Sequence, residues 1–325
     1  MRPSIFFERL RAMAAPVPFL HRSRSVVLCY HGVTPGRPLK LNTRFVSARR
    51  LLGDIRALRR IPGLRFVTLA QAMDPDCPGP KVALTFDDGY RGMLLTLLPL
   101  LEAEGVPACL FVTTLDAHSS PPGAQRMLWA DRIDVAGYQG HAPFEIGSER
   151  FRLDRRKVWR RDGDSYPLKS LCIERNIAFL DAVAQACRPG PTLQQYWELL
   201  TAEDLRQLAD QPLVTLGAHG ITHANLPSLT EQDRWRELTG SKAWLENCVQ
   251  QEITAFAYPH GHHTQDCVEE ARRAGYSAQV VLDYQDRAAM EDPEVCNRIG
   301  IDPFRGSHFQ RQVVAAGGYG HEILP

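Results

Sequence analysis

The chain alternates short apolar runs with stretches whose apolar residues recur at helical spacing. Ser25-Val-Val-Leu-Cys-Tyr30 is compact and apolar, and it predicts a strand. From Thr43 to Arg60, Phe45, Ala48, Leu51, Leu52, Ile55 and Leu58 share a helical face, with Thr43 as the expected cap. Residues 81–86, Lys-Val-Ala-Leu-Thr-Phe, form a second strand pattern that ends in Asp-Asp-Gly. A leucine-rich helix follows to about Glu104; Gly105 closes it and Pro107 opens a strand over 107–114. Thr201-Ala-Glu-Asp starts a helix with a capping-box pattern, and Thr230 caps another that runs to about Cys248. Strands over 213–217, 254–259 and 276–282 alternate with these, with a helix around 265–274 before the last. Regular alternation of this kind predicts a mostly parallel sheet covered by helices.

One stretch breaks the rhythm. Between the strands at 107–114 and 213–217 lie roughly a hundred residues with little strand signal. They hold Trp129, a basic run over 149–161 with seven basic and two acidic residues, and a helix-like stretch from about Leu168 to Cys187. The segment reads as an elaboration between two consecutive strands. Its basic run is expected to be solvated surface charge, with an anionic saccharide, a lipid phosphate or a membrane surface as the other readings. Of Trp129, Tyr138 and Trp159, read as exposed rings that could stack on sugars, Trp129 is better suited to core packing.

Charge and cysteines narrow the classes. Thirty-eight basic residues balance 37 acidic ones, so no overall field favours nucleic acid. The apolar run from Met93 to Leu101 is too short to cross a bilayer. Eight cysteines form no C-x-x-C pair, and Cys29 and Cys109 fall inside strand patterns as buried thiols, which points to a reducing compartment. Glu8, Arg9 and Arg11 interrupt the apolar N-terminal stretch, so a cytoplasmic protein is expected. Ile5, Phe6, Leu10 and Met13 share a helix face there, packed on the domain or lying on a membrane surface.

Reactive groups gather at the carboxyl ends of such strands. His31 follows the first strand and Asp87-Asp88 the second; His219 and His223 follow the strand at 213–217, and His260 follows 254–259. Asp, His and His supply three metal ligands and leave a position for water, the make-up of a catalytic divalent-metal site, zinc foremost. A neighbouring carboxylate is placed to act as a base.

The string Thr85-Phe86-Asp87-Asp88-Gly89 followed by His219-x-x-x-His223 resembles the polysaccharide deacetylase family, the NodB homology or carbohydrate esterase family 4 domain. Tyr30-His31-Gly32 and Trp129-Ala-Asp-Arg132 look like its branch in bacterial envelope and exopolysaccharide biosynthesis. The resemblance implies a distorted (β/α)7-type barrel over residues 25–310, with an insertion at about 116–200, an N-terminal extension at 1–24 and a tail at 311–325. It implies an N-deacetylase acting on an N-acetylated glycan or glycan precursor, with Asp88, His219 and His223 as metal ligands and Asp87 as base. The backbone of the Asp88-Gly89-Tyr90 turn could hold the oxyanion. The family's motif R-x-P-[FY]-G matches Ala257-Tyr258-Pro259-His260-Gly261, without its arginine and with His260 in place of the aromatic. Arg298 is the candidate to brace Asp87 instead. No late L-x-x-H-like motif is present, so His31 is the first candidate for the general acid, then His260, then His308. A silent carbohydrate-binding protein of the same fold, or a deacylase of a non-carbohydrate amide, are the alternatives.

Overall fold

The computed structural model describes residues 25–39, 43–115, 126–188, 190, 192–282, 295–301 and 305–316. Seven strands carry the fold: β1 (Ser25–Tyr30), β2 (Lys81–Phe86), β3 (Ala108–Val112), β4 (Val214–Ala218), β5 (Ala255–Ala257), β6 (Ala278–Val281) and β7, in two pieces, Val295–Asn297 and Ile299–Gly300. All pair in parallel with their sequence neighbours. The first piece of β7 lies beside β6, and the second pairs with β1 through Leu28↔Ile299 and Cys29↔Gly300. The sheet therefore returns on itself, and Arg298 sits at the join. Its N–H donates to the carbonyl of Val281 at 3.0 Å, while the N–H of Ile301 reaches the carbonyl of Cys29 at 3.2 Å. This is the parallel, helix-covered sheet that the strand–helix alternation predicts, closed into the α/β barrel that the resemblance implies. Parallel strands buried on both faces explain why β1 and β2 read as unbroken apolar runs.

Helices fill the connections with the expected caps. Thr201 and Asp204 form a reciprocal capping box, and Thr230 and Thr264 cap Glu231–Val249 and Gln265–Arg273. Gly105, at φ 59°, ends the helix Leu98–Glu104. One start differs from expectation. The first helix is Ala48–Leu58, capped by Ser47, whose Oγ accepts from the N–H of Arg50. Thr43 is no cap, because Val46–Ser47 pairs with Val33–Thr34 and the Phe45 ring packs between Tyr90 and Tyr196.

The excursion between β3 and β4 does contain strands. Phe144–Ile146, Glu149–Leu153 and Trp159–Arg161 form an antiparallel sheet. The basic run conceals a period-two pattern: Phe151 points inward and is fully buried, while Arg150 and Arg152 point out. Trp159 is core rather than exposed, 4.7 Å from the ring of Phe144, and Trp129 is buried too; only Tyr138 is exposed. The arginines pair locally, Arg152 with Asp162, Arg160 with Asp154 and Arg161 with Glu149, which balances much of the run at the surface. The helical stretch is two helices, Leu168–Glu174 and Ile177–Ala186, the second capped by Asn176.

Helix Ser307–Ala316 packs on Ala48–Leu58 and so runs past residue 310. The N-terminal face of Ile5, Phe6, Leu10 and Met13 lies outside the described residues. Among the described residues no helix is long and apolar enough to cross a membrane. All eight cysteines are free thiols.

Candidate active site

Strand ends build the site. The N–H of Asp87 makes the last ladder bond from β2 to the carbonyl of Tyr30, at 3.0 Å. Asp88 and Gly89 then take φ values of 77° and 84°. That turn sends the two carboxylates to different sides. A Cβ at Gly89 would lie 3.2 Å from Val112 Cγ1, so glycine is needed both for conformation and for space.

Asp88 meets the histidines. Its Oδ1 lies 3.1 Å from His223 Nε2 and 3.6 Å from His219 Nε2, and all three side chains are buried. His219 Nδ1–H donates to the carbonyl of Ala257 at 2.7 Å, which leaves Nε2 as the bare nitrogen facing Asp88. Asp88 Oδ1 accepts no hydrogen bond. A bare carboxylate oxygen and a bare imidazole nitrogen repel unless a cation lies between them. The cluster therefore fits a divalent ion.

The loop carrying these histidines is pinned from behind. Glu237, buried on the helix Glu231–Val249, accepts from the N–H of Ile221 at 2.6 Å, the N–H of Thr222 at 3.0 Å and Thr222 Oγ1 at 2.7 Å. Trp129 Nε1–H donates to the carbonyl of His223 at 3.2 Å.

Arg44 holds the other oxygen of Asp88, Oδ2, at 3.0 Å and also reaches Asp131 at 2.6 Å. It thereby restricts Asp88 to one free oxygen. Burial opposes the charge on Asp88, but Arg44 and His223 hold its carboxyl well below the usual range. Burial raises Asp131 to about 7 against the pull of Arg44. Tyr90 is enclosed, its hydroxyl donating to Asp131 at 2.8 Å, so its side chain supports the site from below.

Asp87 faces Arg298. Two parallel bonds join them, Nη1 to Oδ1 at 2.6 Å and Nη2 to Oδ2 at 2.7 Å. Burial works against the carboxylate, yet Arg298 outweighs it, with help from His219, and Asp87 sits at about 2. The Arg298 guanidinium also lies over the Phe111 ring at 5.4 Å. Cys29 adds a thiol donor to Asp87 Oδ2 at 3.4 Å. The His31 ring joins this group, with its ligand atom and those of Cys29 and Asp87 all within 4.8 Å of one another. Burial lowers His31 to about 4, below the near-neutral value expected for an acid there.

After β5, Pro259-His260-Gly261 forms a tight turn with His260 at φ 63° and Gly261 at φ 79°. The His260 ring packs 4.7 Å from His223 and 5.7 Å from Trp129. Burial lowers its pKa well below the usual value. His308 is elsewhere: it lines a pocket with Gly53, Arg56, Ala57, Arg60 and Arg311 between the first and last helices. Sequence reasoning overlooked Arg44, Asp131, Cys29 and Glu237 as contacts of the cluster. Asp131 and Cys29 lay inside motifs already marked; Arg44 and Glu237 carry no local signal.

The sequence pattern of the polysaccharide deacetylases matches residues 74–137 and 180–279, half of the chain, across the site just described. The chain belongs to the polysaccharide deacetylase family. Among curated proteins this family member is 27% identical over 111 residues to YxkH of Bacillus subtilis (strain 168), a protein named for the polysaccharide deacetylases. The match covers 34% of this chain and 39% of YxkH, so the chain spans well under two thirds of that relative. The fold recurs in the Streptococcus pyogenes deacetylase PplD in complex with acetate, with TM-score 0.56, 16% identity, and 88% of this chain and 96% of that one covered. It recurs in IcaB from Ammonifex degensii, with TM-score 0.54, 19% identity, and 90% and 98% covered. This deacetylase-family chain shares their barrel.

Proposed function

We propose that the protein hydrolyses N-acetyl groups on an amino sugar of a glycan or glycan precursor. The observation that carries this is the pairing of two carboxylates with opposite surroundings: Asp88 turned to two histidines with one bare oxygen, and Asp87 clamped by Arg298. Asp88, His219 and His223 would hold a divalent ion, and their nitrogen–oxygen donor set suits zinc. Such an ion polarises the acetamide carbonyl and makes a water more acidic.

The chain's own residues supply the proton path. Asp87 is ionised at neutral pH because Arg298 holds it so, and it accepts a proton from the attacking water. His31, whose ring nitrogen lies within 4.8 Å of an Asp87 carboxylate oxygen, would carry that proton on. The departing amine takes it as the C–N bond breaks. A backbone N–H of the Asp88-Gly89-Tyr90 turn would hold the oxyanion.

The test is acetate release from a panel of N-acetylated glycans, with and without added divalent ions. His219→Ala should lose the ion, since two ligands bind weakly. Asp87→Asn combined with Arg298→Met should keep the ion and lose turnover. Full ion uptake by the first variant, or normal turnover by the second, refutes the assignment.

A further inference from the structure

A second cavity backs onto this site. It has a volume of about 480 Å3 and lies between the 219–223 loop, the start of helix Trp129–Gln139 and helix Ile177–Ala186. That size falls within the range of small-molecule pockets. Ile221 and Thr222, which separate His219 from His223, form part of its wall. So does Trp129, whose ring also approaches His223 at 6.3 Å and His260 at 5.7 Å. One loop and one indole separate the cavity from the cluster.

Its chemistry is that of an anion site. Three guanidinium groups, Arg126, Arg132 and Arg236, line it against two carboxylates, Asp181 and Glu237. Glu237 is already occupied by the donors of the 221–222 backbone and Thr222. Asp181, Arg132 and Arg236 each have further contacts of their own. Arg126 differs. Its Nη1 donates to the carbonyl of Leu200 at 3.0 Å and its Nη2 to the carbonyl of Thr114 at 2.7 Å, and it rests over the Trp244 ring. Among the described residues it forms no ion pair, and its Nε is buried without a hydrogen-bond partner there. Burial accordingly lowers its pKa. A half-buried cation with an enclosed Nε, fixed at a cavity wall by neutral carbonyls, gains from an anion that enters the cavity.

We propose that this cavity binds an acidic sugar unit, bearing a carboxylate or a phosphate, of the same glycan whose acetamide is hydrolysed at the cluster, with Arg126 as the partner of the acid. The proposal deepens the deacetylase reading and rests on it for its kinetic arm. The edges of Met127, Trp129 and Leu180 that reach the cavity give part of its wall an apolar character.

Two measurements on the full, ion-loaded protein test it. The first compares kcat/KM for acetate release from an oligomer of N-acetylglucosamine and from a glycan alternating N-acetylglucosamine with glucuronate. The unaltered protein should favour the acidic glycan. In Arg126→Gln the ratio of the two should fall about tenfold, the worth of one charge-assisted hydrogen bond. Arg126 also holds two carbonyls, so Gln185→Glu, a change at the exposed mouth, is the second variant; it should lower the same ratio. The second measurement needs no turnover: glucuronate is titrated while the indole N–H resonance of Trp129 is followed by NMR. It should shift that resonance in the unaltered protein, and less in Gln185→Glu. An unchanged ratio in both variants overturns the proposal, as does a Trp129 resonance that does not respond. Inorganic phosphate that binds as well as glucuronate, with no preference between the glycans, would make this a free-anion site and overturn it too. Acetate release from neither glycan, with the Trp129 shift intact, would refute the deacetylase reading and leave the cavity assignment supported.

Discussion

Arg298→Met removes the partner of a buried carboxylate. Both side chains are enclosed, at 1% and 4% exposure, and the two bonds between them are short and parallel. Their arrangement sets the size of the effect. Burial pushes the Asp87 carboxyl up, yet Arg298, with smaller help from His219 and His31, holds it at about 2, so the clamp more than offsets the desolvation. Stripping one partner from a buried pair costs about 3–5 kcal/mol, because the remaining charge has nowhere to go. Asp87→Asn leaves Arg298 in the same position and should cost about as much. The double variant carries no orphan charge. Its loss should fall short of the sum of the singles by at least about 2 kcal/mol. Urea denaturation at pH 7, followed by far-ultraviolet circular dichroism, measures all four proteins. Additivity within about 0.5 kcal/mol would show that the two groups do not depend on each other, and the account of Asp87 as a held base would fall.

Three further outcomes follow from the site. His31 is depressed from 6.5 to about 4, so the folded state resists a proton that the unfolded chain accepts. Its contribution is complete above pH 6.5 and is lost as pH falls toward 4, up to about 3 kcal/mol; His31→Gln should flatten that part of the stability–pH curve, and an unchanged curve would count against the burial argument. Gly89→Ala meets both a positive φ and Val112, and a loss of about 1–3 kcal/mol in denaturant titration is expected; no loss would mean that the turn relaxes freely. Arg44→Gln frees Asp88 Oδ2 and should weaken zinc binding about 10–100-fold in a chelator competition, whereas unaltered affinity would remove Arg44 from the support of the ligand.

Much of this architecture was legible in the sequence because it is local. Strand ends, caps and the Asp-Asp-Gly turn are set by neighbouring residues, and Arg298 could be singled out from the strand pattern around it. Other features depend on what packs from afar. Arg44 is one polar residue among many until the fold lays it on Asp88. The hairpin over 144–161 was hidden because arginines occupy the outward positions of its alternation and dominate its composition. Trp159 read as exposed for the same reason. The neighbourhood of His31 followed from topology, but its lowered pKa comes from burial that only the closed barrel creates.

Barrel closure also sets an order of events in time. The clamp on Asp87 comes from residue 298, and β7 reaches back to β1 across most of the chain. Contacts so distant in sequence form late and slowly. Six strands can be in place, with the histidine loop already seated on Asp88, while Asp87 is still without its guanidinium. Until β7 arrives, Asp87 lacks the partner that holds it ionised. The clamp that holds Asp87 is thus completed only by the strand that closes the barrel, which ties the charge state of one carboxylate to the joining of the two ends of the sheet.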